Sequence, residues 1–126
     1  MTKKILVIDD EVEICALIRE SLEQLGEFSI IAAYNGKDGL HRAQYDKPDL
    51  VLLDIGMPSM DGLKVLELLK TNDETYHIPV VMLSGSTNDD FKISASKLYS
   101  ECYITKPFDI KELKDKIELI LARSGG

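Results

Sequence analysis

Lys3-Lys4-Ile5-Leu6-Val7-Ile8-Asp9-Asp10-Glu11 sets four bulky apolar residues directly before three carboxylates. The run Ile-Leu-Val-Ile, short and rich in β-branched side chains, reads as a strand buried on both faces. A helix follows at once: between Glu11 and Leu25, the residues Cys15, Ile18, Leu22 and Leu25 fall on one face, and Gly26 supplies the stop. The rhythm then repeats. Residues 28–33, 50–53, 79–83 and 102–105 read as strands, and residues 36–44, 63–70 and 89–99 as helices. Ile110, Leu113, Ile117 and Ile120 mark the buried face of a last helix. Five strands alternating with five helices predict an α/β fold: a single doubly wound, five-stranded parallel sheet with right-handed crossovers covering both faces.

Folding gives no reason for the acids at the end of the first strand, because neighbouring like charges repel. In a parallel sheet every strand ends at the same edge, and ligands bind in the crevice outside those carboxyl ends. Asp9, Asp10 and Glu11 follow the first strand, Asp54 the third, Ser84 the fourth, and Lys106 with Pro107 the fifth. Two unit charges about 4 Å apart repel by about 1 kcal/mol in water and about 4 kcal/mol at an effective dielectric near 20. Lys106 offsets only part of that for three gathered carboxylates. A hard divalent cation, Mg²⁺, is the better account, since it takes one or two carboxylates and keeps waters for phosphate oxygens. Each residue has a plainer role available. Asp9 could cap the first helix, Asp10 and Glu11 could face its dipole, Ser84 could sit in a turn, and Lys106 could be solvated. All of those would have to hold together at one edge.

The remaining composition sets bounds. A chain of 126 residues with 44% hydrophobic and 29% charged residues suits one globular domain, assigned to residues 1–123, with a frayed tail at 124–126. A net charge of −7, with no basic run beyond Lys3-Lys4, argues against direct nucleic-acid binding. No apolar run reaches membrane-span length, and MTKK lacks the apolar core of a signal peptide, so a cytoplasmic location is expected. Cys15 and Cys102 have no metal-type spacing and are expected to be small buried or half-buried residues. His41 and His77 are expected at the surface, and Asp61 as the cap of the third helix.

In order, VIDDE, VLLDIGMPSMDG, VVMLSGS and YITKPF resemble the receiver domain of two-component response regulators over essentially the whole chain. The resemblance implies the flavodoxin-like, CheY-like receiver fold with strand order 2-1-3-4-5. It implies Asp54 as phosphoacceptor, Asp10 as a direct Mg²⁺ ligand, Asp9 as a ligand through water, and the backbone carbonyl of Gly56 as a further ligand. Ser84 would hydrogen-bond the phosphoryl group, Lys106 would pair with it, Tyr103 would be the aromatic switch, and the Lys106–Pro107 peptide would be cis. The implied partners are a sensor histidine kinase or phosphotransfer protein upstream and an output domain or target protein downstream. A homodimer through the face of the fourth helix, fifth strand and last helix is left open.

Three departures from the family pattern stand out. Gly85 follows Ser84 where alanine is usual, and Tyr99-Ser100 replaces a common Gly-Ala pair, which would add an aromatic to the face around Tyr103. Gly56 and Ser86 are small where bulk tunes phosphate lifetime, so dephosphorylation is not expected to be unusually slow. The chain is expected to be a phosphotransfer acceptor and not a turnover enzyme. A haloacid-dehalogenase-like hydrolase would need a second aspartate where Gly56 stands. A flavodoxin-like cofactor protein would need a phosphate-binding loop where Asp9-Asp10-Glu11 stands. A degenerate receiver would not keep the full set of acids, Ser84 and Lys106.

Overall fold

Strand β1 (Lys3–Ile8) pairs in parallel with β2 (Phe28–Ala33) on one side and β3 (Leu50–Asp54) on the other. Strands β4 (Val80–Ser84) and β5 (Cys102–Thr105) complete a five-stranded sheet of order β2-β1-β3-β4-β5, as expected. The order reverses between β1 and β3, and that switch point is where a doubly wound sheet opens a crevice. The structure, a computed structural model, describes residues 2–58, 60–85, 94, 96, 97 and 99–123. Its helices among these residues are α1 (Val12–Glu23), α2 (Gly36–Asp46), α3 (Gly62–Lys70) and the C-terminal α4 (Ile110–Arg123). Most of the helix expected over 89–99, along with Ser86 and the tail 124–126, lies outside the described residues.

Alternation along the strands divides the core in two. Ile5 and Val7 of β1, Leu50 and Leu52 of β3, and Val81 and Leu83 of β4 face one layer, against Cys15, Ile18 and Leu22 of α1 and Leu113, Ile117 and Ile120 of α4. Leu6, Ile8, Val51, Leu53, Val80 and Met82 face the other, against Ala43 of α2 and Val65, Leu66 and Leu69 of α3. Uniformly apolar strands therefore have no solvent face, and each such side chain contributes about 1.5–3 kcal/mol on burial. Leu25 departs from the expected helical face. Helix α1 ends at Glu23, Gly26 takes a left-handed φ of 76°, and Leu25 in the turn between them is 44% exposed.

Side chains of α1 also secure the outer strand. Arg19 Nη2 donates to the carbonyl of Ile30 at 3.2 Å, and the Ile30 N–H donates to Glu23 Oε2 at 2.9 Å. These bonds occupy backbone groups that an edge strand would otherwise offer to another chain. Asp61 caps α3 as expected, accepting from the N–H of Leu63 at 2.9 Å.

Gly62, the first residue of α3, presses the helix start onto the end of β3. A β-carbon there would fall against the carbonyl of Asp54 and 2.6 Å from Cα of Ile55, and neither backbone can move freely. Gly62→Ala is expected to destabilise the fold by about 1–3 kcal/mol, the usual range for overpacking. Urea unfolding checks this, and an unchanged midpoint would contradict so close an approach.

Candidate functional site

The pleat that divides the core also selects which residues beyond the strand ends point into the crevice. Asp9 continues the ladder, its N–H donating to the carbonyl of Ala33 at 3.0 Å, and it keeps the side of the sheet to which Val7 belongs. Asp54 lies two residues beyond Leu52, and Lys106 two beyond Ile104, on that same layer. The three side chains meet. Lys106 Nζ is 2.7 Å from Asp9 Oδ2, 2.8 Å from Glu11 Oε1 and 3.8 Å from Asp54 Oδ1. Asp9 is fully buried and Asp54 nearly so, whereas the Glu11 side chain is 56% exposed.

Local bonds fix the acids in place. Asp9 Oδ1 accepts from the Glu11 N–H at 2.9 Å, so Asp9 shapes the turn into α1 while Glu11 holds the N-cap position. The N–H of Gly56 donates to Asp54 Oδ1 at 3.2 Å. Ser84, the last residue of β4, is buried and lies opposite Thr105 in register, and its carbonyl accepts from the Lys106 N–H at 2.6 Å. Asp54 pairs with Leu83, one residue short of Ser84. The Lys106–Pro107 peptide is cis.

Asp10, expected as a direct metal ligand, is exposed at the mouth of the site. Glu11 does come close: one carboxylate oxygen each from Asp9, Glu11 and Asp54 lie within 4.8 Å of one another. Its place after β1 brings Glu11 to this edge, but only the fold shows that its longer stem reaches Lys106.

The electrostatics follow from burial. Desolvation first, then repulsion from Asp9, raises the Asp54 carboxyl from 3.8 to about 6, against the Gly56 N–H and Lys106, which pull it down. Burial works to lower Lys106, but Asp9, Glu11 and Asp54 outweigh it and hold the ammonium above its ordinary value. Burial pushes the Cys15 thiol up to about 12, which suits a packing residue; its Sγ lies 3.5 Å from the Asp9 carbonyl.

The donor set fits a hard divalent ion. Asp9 Oδ2 is buried, with the Lys106 ammonium 2.7 Å away as an ion pair and no further polar partner among the described residues. A buried carboxylate oxygen with unused acceptor capacity, in an all-oxygen cluster, suits Mg²⁺ better than a transition metal.

The sequence matches the family described as the response regulator receiver domain over residues 5–118. The chain belongs to that family. It is 36% identical over 124 residues to the alkaline phosphatase synthesis transcriptional regulatory protein PhoP of Bacillus subtilis (strain 168), covering 98% of this chain and 50% of that protein. It therefore spans half the length of that relative. A CheY-like receiver domain protein from Methanospirillum hungatei JF-1 superposes with a TM-score of 0.89 at 25% identity, covering 99% of this chain and 98% of that one. The receiver domain of Francisella response regulator 1452 gives 0.85 at 31% identity, covering 98% and 99%. NtrX from Brucella abortus gives 0.88 at 32%, covering 99% of this chain and 28% of its own.

In this receiver domain Tyr103 is 39% exposed, with the ammonium of Lys97 5.9 Å from its ring centre. It lines an open groove of about 770 Å³ beside the start of α4, together with Pro107, Phe108, Glu112 and Lys116. Tyr99 lines a separate depression with Leu63, Leu66 and Lys70 of α3. His41 and His77 are exposed, Cys15 is buried and Cys102 half-buried, as expected. A β-carbon at Gly85 would meet only Cδ of Lys106, at 3.7 Å, among the described residues, which is ordinary contact. No described helix is long and apolar enough to cross a membrane.

Proposed function

We propose that this receiver domain takes a phosphoryl group onto Asp54 from the phosphohistidine of a partner kinase or phosphotransfer protein. An oxygen of the Asp54 carboxylate attacks phosphorus as the P–N bond breaks, leaving an acyl phosphate on Asp54 and a free imidazole on the donor. Transfer of this kind asks for alignment and for positive charge near the phosphoryl oxygens. Lys106, 3.8 Å from Asp54 Oδ1, can pair with a group mounted there. Ser84, buried at the adjoining strand end, would donate a hydroxyl hydrogen bond to that group. Asp9, Asp54 and Glu11, with Asp10 and the Gly56 carbonyl by resemblance, would hold Mg²⁺. When bound, that ion supplies further charge neutralisation.

The product adds about 1.5–2 negative charges at neutral pH. Drawing Ser84 toward them would open space into which Tyr103, on the neighbouring strand, turns from its exposed position, changing the groove beside α4. We read the domain as a cytoplasmic switch that acts on an output domain or target protein and does not turn over substrates. The observation that carries this reading is the convergence of Asp9, Asp54 and Lys106 in one buried pocket at the sheet's carboxyl edge.

Incubation with Mg²⁺ and acetyl phosphate is expected to add one phosphoryl group, seen by intact mass, and Asp54→Asn to add none. An unmodified wild type, or a variant still modified, would overturn the assignment.

A further inference from the structure

Lys106 has a partner, Glu11, to which the receiver resemblance gives no part in handling the phosphoryl group. Glu11 sits at the N-cap of α1 yet makes no side-chain cap bond to the helix. Its carboxylate accepts nothing from the helix start and instead reaches a residue 95 positions along the chain, accepting from Lys106 Nζ at 2.8 Å. Lys106 is thereby held 1 Å or more closer to Asp9 and Glu11 than to the 3.8 Å of Asp54 Oδ1. The two partners differ in mobility. Asp9 is buried and bonded to the backbone, whereas the Glu11 side chain is 56% exposed and can swing into water.

We infer that Glu11 is a positioning residue that tethers Lys106 away from Asp54 until the phosphoryl group arrives. The inference rests on Asp54 being the phosphoacceptor. Two consequences run in opposite directions. A divalent ion entering the cluster competes with Lys106 for the oxygens of Asp9 and Asp54. Glu11 offers the ammonium another anion to lean on and adds negative charge at the mouth, both of which favour the ion. Transfer, by contrast, needs Lys106 to face the incoming phosphoryl oxygens, so the tether slows it. Glu11→Gln keeps the shape and removes the charge.

The expected result is a split. Glu11→Gln binds Mg²⁺ about two- to five-fold more weakly in calorimetric titration, the range of a single half-exposed ion pair. At saturating Mg²⁺ it is phosphorylated by acetyl phosphate about two- to five-fold faster. The acceleration disappears when Lys106 is already Met, because no ammonium remains to be released. A merely structural role would weaken binding and slow transfer together. Unchanged Mg²⁺ affinity, equal or slower transfer at saturation, or the same acceleration in the Lys106→Met background would each overturn the tether. A wild type that takes no phosphoryl group would instead overturn the underlying reading of Asp54.

Discussion

Lys106→Met is expected to remove about 3–5 kcal/mol of unfolding free energy at neutral pH without divalent ions, the loss that follows when one partner of a buried ion pair is deleted. Its ammonium is the cation common to Asp9, Glu11 and Asp54, and its side chain is only 9% exposed. Methionine keeps the apolar stem, so packing beside Gly85 is little disturbed and the effect isolates the charge. Of the three acids, exposed Glu11 can turn to water, but fully buried Asp9 cannot. The loss should therefore track Asp9 and Asp54. Adding Mg²⁺ should recover more stability in the variant than in the wild type, because ligand binding to the native state alone raises its stability. Urea unfolding with and without Mg²⁺ measures both. A loss below about 1 kcal/mol, typical of an exposed pair, would show that the acids do not depend on this lysine.

Much of this site could be read before the fold was seen, and one rule accounts for it. Strands uniformly apolar on both faces must be parallel and covered, and parallel strands end together, so Asp9, Asp54, Ser84 and Lys106 had to share an edge. What the strand ends could not supply was direction. The alternation that puts Val7 and Leu52 on one layer carries Asp9 and Asp54 to the same side, and adjacent Asp10 is exposed. The contact between Glu11 and Lys106 crosses 95 residues and depends on the reach of two flexible side chains, for which no local pattern exists.

Asp54→Asn, expected to abolish phosphoryl uptake, should at the same time make the fold more stable, and only over a defined pH range. The folded carboxyl is raised from 3.8 to about 6, chiefly by burial and then by Asp9. A group raised in the folded state contributes stability that is complete below its unfolded value and is lost as pH climbs through the folded one. The wild type therefore loses stability between about pH 4 and pH 6, because ionising Asp54 places a second buried negative charge beside Asp9. That displacement corresponds to about 3 kcal/mol. Asparagine cannot ionise, and its amide oxygen can still accept from the Gly56 N–H that now meets Oδ1. At pH 7.5 without Mg²⁺ the variant should unfold at higher urea than the wild type by up to that amount, and near pH 4 the two should converge. Mg²⁺ should narrow the gap at pH 7.5, since it stabilises the ionised wild-type cluster more than the amide. A gap independent of pH would assign the gain to packing instead of charge, and no gap at pH 7.5 would mean that Lys106 already neutralises Asp54 in full.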